Sequence, residues 1–281
     1  MKIALTGSRG FLGKSIHSKL KAHNYKVIEI DIEVGLDITK PESLKRVPNF
    51  DVLIHLAARS FVPDSYLFPA EFYYTNLNGT INVLELCRKF CARIIYTSSY
   101  IYGIPEYLPI DENHKLNAFN PYAQSKLIGE EICKAYKRDF NIDYTIFRPF
   151  NIYGPGQNTS FLIPQIISQA LDGQITLKDP RPKRDYIYID DVVSAYLRAV
   201  QNLEIDSEIF NLGYGSSYSV EQIVNKVLFH INKTPNVRFL HEYRKNEIMD
   251  TMADISKIMK ILKWEPKTSI DDGLKYTIDN L

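Results

Sequence analysis

The stretch "NPYAQSK" (residues 120–126) places Tyr122 one helical turn ahead of Lys126. A phenol and an ammonium at that spacing share a helix face, where the positive charge favours ionisation of the phenol. Phenol normally ionises near pH 10, so a useful phenolate fraction at neutral pH needs a shift of about 2–3 units, or about 3–4 kcal/mol. A tyrosine so tuned can take the proton of a substrate hydroxyl while a hydride leaves the same carbon. Asn120 and Pro121 supply the helix start, a capping side chain followed by proline at the first helical position. Ser98, in "YTSSYIYG" (96–103), ends a strand-like run, where its hydroxyl could hydrogen-bond the reacting oxygen. With 19 Tyr in 281 residues, one Tyr-x-x-x-Lys match carries little weight alone. Its surroundings decide.

A departing hydride needs an acceptor, and the first residues offer a place for one. "TGSRGFLG" (6–13) sets Gly7, Gly10 and Gly13 between the apolar run "KIALT" (2–6) and an amphipathic segment reaching about His23. Between a strand and a helix, three such glycines permit a tight turn, close approach to a pyrophosphate, and close helix packing. The helix N-terminus then presents free N–H groups and a positive dipole end to the phosphates. Asp31, about twenty residues further on, ends the second strand, where a carboxylate binds the ribose hydroxyls and repels a 2′-phosphate. That favours NAD over NADP. Arg9, inside the loop, pulls the other way, because a guanidinium there could reach a 2′-phosphate. The expected cofactor is NAD, with NADP the alternative. An oxidised nicotinamide ring is positively charged and would add to the field acting on Tyr122.

The elements that position these residues alternate along the chain. Strands are expected at 2–6, 26–31, 51–58, 92–99 and 143–149, with helices over about 69–90 and 121–138. Short apolar strands separated by helices imply an α/β fold with a doubly wound parallel (Rossmann) sheet. The Gly/Pro/Asn-rich stretch "NIYGPGQN" (151–158) ends this regularity. Residues 1–157 are therefore expected to form the dinucleotide domain. Residues 158–281 are expected to form mostly a smaller, mixed substrate-binding domain, with about 185–213 returning to the first. Helices are expected near 160–172, 190–202 and 218–231, with a helical tail after Pro266.

A formal charge of +1 argues against a nucleic-acid surface. Cys87 and Cys91 read as buried thiols on one helix face, and neither they, Cys133 nor the six scattered His make a metal pattern. No apolar run reaches the ~18 residues of a membrane span, and the chain opens directly on a strand, so a cytoplasmic protein is expected.

The glycine loop, Asp31, "HLAA", "NLNGT", "YTSSYIYG", "PYAQSK", "RPFNIYGPG" and "RDYIYIDD" occur in an order that resembles the extended short-chain dehydrogenase/reductases. More narrowly, the chain resembles the NAD-dependent epimerases and dehydratases that act on nucleotide sugars. The likeness runs from residue 1 to the tail "ADISKIMKILKWEP". It implies a catalytic trio of Ser98, Tyr122 and Lys126. Ser98 is preferred to Ser99 because it stands four residues before Tyr102 of the Tyr-Gly pair. Phe11, Leu12, Asp37, Ile38, Leu56, Ala57, Ala58 and Asn76 fall on cofactor-lining positions of the family. Asn151, Arg184 and Arg244 fall on positions that hold the substrate's diphosphate and nucleotide. Related enzymes pair through two long helices, so a homodimer is expected.

The family's 4,6-dehydratases carry Asp-Glu directly after the catalytic hydroxyl residue, where this chain has Ser99 and Tyr100. Dehydration is thus disfavoured. A 4-epimerase acting on a nucleotide-diphosphate sugar needs only the trio and is the first expectation. A 4-ketoreductase is the alternative, kept by the short chain, by Arg9 and by "KDPRPKR" (178–184), which lacks the family's Gly-Asp-Gly. A non-catalytic dinucleotide sensor would not need the Tyr–Lys pair. Thr251 falls where a bulky family residue closes the pocket against 2-acetamido sugars, so room for an N-acetyl group is expected.

Overall fold

The computed structural model describes residues 1–244 and 247–280. Its largest sheet has six parallel strands in the order β2-β1-β3-β4-β5-β9. They are β1 (Lys2–Thr6), β2 (Lys26–Ile30), β3 (Val52–His55), β4 (Arg93–Thr97), β5 (Tyr144–Pro149) and β9 (Glu208–Leu212). Between β5 and β9 lie β6 (Asn151–Tyr153), β7 (Gln174–Leu177) and β8 (Lys183–Tyr188), and after β9 come β10 (Ser217–Ser219) and β11 (Asn236–Phe239). These five form two small sheets, β10-β8-β6 and β11-β7. The strand order reverses between β1 and β3, and ligands of open α/β sheets bind in the crevice at such a point.

Strand alternation explains how both faces of the sheet are buried. Ile3, Leu5, Val52, Ile54, Ile95 and Phe147 face one core, closed by the helices Phe11–Ala22 and Ile189–Gln201 through Ile16, Leu20, Val192 and Tyr196. Ala4, Leu53, Ile94 and Ile146 face the other, closed by Gly79–Phe90 and Pro121–Phe140 through Val83, Leu84, Cys87 and Cys133. Each buried aliphatic side chain contributes about 1.5–3 kcal/mol. The strand ends are therefore fixed from two sides. Among the described residues no helix is long and apolar enough to cross a membrane.

Several boundaries differ from the sequence reading. The helix expected over 69–90 is a short helix Pro69–Tyr73, a π-turn Tyr74–Asn78 and the helix Gly79–Phe90, preceded by an unanticipated helix Val62–Leu67. The extra residue of the π-turn accompanies a side-chain bond, Thr80 Oγ1 donating to the Asn76 carbonyl at 2.6 Å. β2 stops at Ile30, because the Asp31 carboxylate caps the next turn by accepting from Glu33 N–H. Cys91 is exposed, not buried beside Cys87: it is the left-handed cap of its helix, with φ 53°. The tail adds a helix, Ser256–Leu262, before the expected one at Ile270–Asp279.

Candidate active site

A cleft of about 2210 Å³ runs along the C-terminal ends of the parallel strands. Small-molecule pockets typically hold ~300–1,000 Å³, so this one has room for two ligands end to end. Every site residue expected from the sequence lines it except Asn76.

The glycine loop forms one end. Gly7 has φ +65°, and a Cβ there would stand 2.9 Å from Ala57 N. A Cβ on Gly13 would stand 1.9 Å from the Gly7 carbonyl oxygen, so only glycine lets the helix Phe11–Ala22 sit on the loop. That helix has no side-chain cap and no acid in its first turn, which leaves its N–H groups for an anion. Phe11 and Leu12 flank this opening. The Asp31 carboxylate accepts from Arg9 N–H and Glu33 N–H, both at 3.0 Å. Asp37 is held by Thr39 N–H at 2.9 Å and the Thr39 hydroxyl at 2.7 Å. Partial burial pushes its carboxyl up, but these bonds and Lys40 outweigh it and hold it below the ordinary range. Asp37 and the neighbouring Ile38 form the wall beyond Asp31. These features fit a dinucleotide: a cradle that a Cβ would fill, an open helix end, and a carboxylate at the strand end.

Behind Leu56, Ala57 and Ala58 runs a buried chain of hydrogen bonds. Thr6 Oγ1 accepts from Leu56 N–H at 3.0 Å and Ala57 N–H at 3.1 Å. Its proton must then go to His55 Nδ1, 2.8 Å away. His55 Nε2–H in turn donates to Thr80 Oγ1 at 3.1 Å, whose own proton is used on the Asn76 carbonyl. Both ends require the same neutral tautomer, and burial pushes the His55 value down to about 3. Asn76 therefore stands behind the cleft wall, not on it. Its side chain accepts from Arg59 N–H and donates to the Arg59 carbonyl and to Ser125 Oγ, which donates to the Tyr122 carbonyl. The expected cofactor-lining asparagine is a tie between the cleft wall and the helix of Tyr122.

The catalytic candidates meet at the end of β4. Asn120 caps the helix Pro121–Phe140, its side chain accepting from Ala123 N–H at 2.8 Å. Lys126 is buried, and its Nζ donates to the Thr97 carbonyl at 2.8 Å. Burial pulls its value down to about 8, with Cys133 and Glu130 opposing, so it stays charged at neutral pH. Burial pushes the Tyr122 phenol above its ordinary value, and the Ser99 hydroxyl opposes this. The protein alone thus leaves the phenol protonated, and further positive charge is needed to make it a base. Ser98 Oγ is buried in the cleft wall with no hydrogen-bond partner among the described residues. A buried hydroxyl is normally paired, so this one is free for a ligand oxygen. The helix is held in place by a buried fork, Arg148 Nε to Glu130 Oε1 at 2.9 Å and Arg148 Nη2 to Glu130 Oε2 at 2.7 Å.

At the opposite end the charges are already paired. Arg184, on β8, donates to Glu247 Oε1 and to the Ile248 carbonyl, both at 2.6 Å. Arg244 Nη1 lies 3.8 Å from Glu247 Oε2, so one carboxylate stands between the two arginines. Asn151 donates to the Asp185 carbonyl at 3.2 Å. Thr251 Oγ1, like Ser98 Oγ, is buried in the wall without a partner among the described residues.

Sequence reasoning missed three groups here. Tyr186 Oη and Gln157 Oε1 are further buried, unpartnered atoms of cleft-lining residues. Tyr186 was legible as the i+2 neighbour of Arg184 on one strand face. Glu247 carried no local signal, since its partner Arg184 is 63 residues away.

The family profile described as "NAD dependent epimerase/dehydratase family" matches residues 3–213. The chain belongs to this family. Within it, a putative UDP-glucose 4-epimerase of Methanocaldococcus jannaschii is 34% identical, with 99% of this chain and 97% of the relative covered. A GDP-6-deoxy-D-talose 4-dehydrogenase of Aggregatibacter actinomycetemcomitans is 32% identical over 93% of this chain and 91% of its own length. The crystal structure of a UDP-glucose 4-epimerase from Thermotoga maritima with UDP-glucose superposes with a TM-score of 0.92 at 29% identity, covering 100% and 98% of the two chains. The protein is accordingly an NAD-dependent enzyme of the family's nucleotide-sugar epimerase/reductase type.

Proposed function

We propose that this protein is a nucleotide-sugar 4-epimerase working on bound NAD. The observation that carries the reading is the unpartnered Ser98 hydroxyl, buried in the cleft wall that Tyr122 and the anchored Lys126 also line. Ser98 hydrogen-bonds the C4 oxygen of the sugar, and Tyr122 receives its proton. Lys126 remains charged below about pH 8 and favours the phenolate. Bound NAD supplies a hydride acceptor that can give the hydride back to either face of the same carbon. The glycine loop, Asp31, Asp37 and Leu56–Ala58 hold the cofactor. Arg184 and Arg244 exchange Glu247 for the oxygens of the substrate's diphosphate, and guanidinium forks suit that exchange. The nucleotide stays fixed while the sugar turns. Residues 1–157 serve the cofactor in this reading, and 158–281 mostly the substrate. Thr251, small and with a free hydroxyl, leaves room for a 2-acetamido group.

The Tyr74 and Ile81 side chains, exposed on the turn and helix over 74–90, and Phe140 at the end of the catalytic helix support pairing of two copies. A nucleotide 4-keto-sugar reductase is the second reading, favoured by the dehydrogenase relative and by Arg9 in the loop.

The test uses purified protein with no cofactor added. Near-stoichiometric NAD released on denaturation, with interconversion of UDP-glucose and UDP-galactose or of their N-acetyl counterparts, is expected. Empty protein, or turnover of a keto sugar that needs added NADPH, would replace the epimerase by the reductase. Turnover of UDP-glucose with none of UDP-N-acetylglucosamine would remove the role given to Thr251.

A further inference from the structure

We propose that Glu29 sets the cofactor choice of this chain by holding the Arg9 guanidinium away from the position of a 2′-phosphate. This rests on the reading that the glycine loop and Asp31 receive the adenosine end of a dinucleotide.

Arg9 is the one cation in the loop "TGSRGFLG", and its backbone N–H donates to Asp31 Oδ2 at 3.0 Å. Its side chain is thus rooted beside the carboxylate that meets the ribose. An arginine near that point accommodates a 2′-phosphate in dinucleotide sites of this kind. Here the guanidinium is already engaged: Arg9 Nε lies 2.8 Å from Glu29 Oε2. The Ser8 hydroxyl donates to the same oxygen at 3.3 Å, and His17 Nε2 lies 3.4 Å from the other. Glu29 and Asp31 are two residues apart, so they leave the strand end on the same side. Two carboxylates therefore face one loop, with different partners. Glu29 takes the loop's cation, and Asp31 takes only backbone N–H groups, those of Arg9 and Glu33. The charge of Asp31 is left unopposed and repels a 2′-phosphate.

Arg9 is 44% exposed and Glu29 23%, so solvent screens the pair and it is open to competition. The effect expected of its removal is correspondingly modest, because Asp31 remains.

The experiment is a binding measurement on cofactor-stripped full-length protein, with NADH and NADPH as fluorescent probes. The wild type is expected to bind NADH more tightly. Glu29→Gln should tighten NADPH binding about tenfold with NADH binding within about twofold of wild type, the scale of one partly exposed guanidinium–phosphate contact. Arg9→Ala alone should give no gain in NADPH binding, since in the wild type the guanidinium is already held by Glu29. In the Glu29→Gln/Arg9→Ala double variant the gain in NADPH binding should disappear. A gain that survives in the double variant would overturn the proposal, because removal of negative charge alone would then explain it. So would an unchanged NADPH affinity in Glu29→Gln, or loss of both dinucleotides in that variant, which would make Glu29 a scaffold of the loop. If the wild type binds neither probe, the cofactor reading itself fails, a result distinct from the others.

Discussion

Behind Leu56, Ala57 and Ala58 the cleft is backed by neutral side chains whose hydrogen bonds to one another are complete, whereas around Arg184 it is lined by charged side chains that have taken each other as partners. Thr6, His55, Thr80 and Asn76 satisfy one another behind the wall at the first end. Arg184, Arg244 and Glu247 do so within the wall at the second. The first arrangement can hold a ligand that stays, since nothing has to be released when it binds. The second suits a ligand that comes and goes, because each arrival trades one carboxylate for another anion. The proposed catalytic trio stands where the two meet.

The largest expected effect falls at that junction. Tyr122→Phe should lower turnover by about 10³-fold or more while the protein still carries its cofactor, the range for losing a general base. An active variant would detach the chemistry from both ends at once. Next comes Gly13→Ala, whose Cβ would overlap the Gly7 carbonyl oxygen. It should cost about 1–3 kcal/mol of stability and release the cofactor, read by melting temperature and by cofactor content. A variant that keeps its cofactor would show the first end to be more pliable than the close approach of Gly13 to Gly7 implies.

Arg184→Ala breaks the second end instead. It should weaken binding of UDP about thirtyfold, roughly 2 kcal/mol for one charge-assisted contact, with cofactor content unchanged. Equal losses of both ligands would erase the distinction between the halves.

The smallest effect is a pH dependence of the buried chain behind the first end. His55 has a folded value of about 3 against 6.5 unfolded. Between those pH values the unfolded chain holds the extra proton, so this residue makes stability rise with pH. Its share is lost as pH falls below about 6.5, by at most about 1.4 kcal/mol per unit. Urea midpoints at pH 7 and pH 5 should differ more for wild type than for His55→Gln. Identical differences would mean that another group carries the acid response.

The sequence made the first end far more legible than the second. Gly7, Gly10, Gly13 and Asp31 lie within one strand–helix–strand unit, and their demands on the backbone are local. Tyr122 and Lys126 share a single helix whose capping residue stands next to them. Asn76 was harder to read, because whether an asparagine faces a cleft depends on which backbone it ties, and Arg59 was not visible as its partner. The π-turn that carries it was hidden in a segment that reads as plain helix. Glu247 illustrates the limit. An ion pair between β8 and a segment 63 residues later leaves no periodicity to detect.

The sixth strand of the main sheet has a consequence for the order in which the molecule is made. β9 pairs with β5 over Thr145–Pro149, and Phe210 and Leu212 fill the core beside Phe147. As the chain leaves the ribosome, β5 must wait for about sixty further residues before its neighbour arrives, an unpaired hydrophobic edge in the meantime. The two halves of the cleft are thus born together: the nucleotide-binding sheet is finished only after the strands that carry Asn151 and Arg184 have been synthesised.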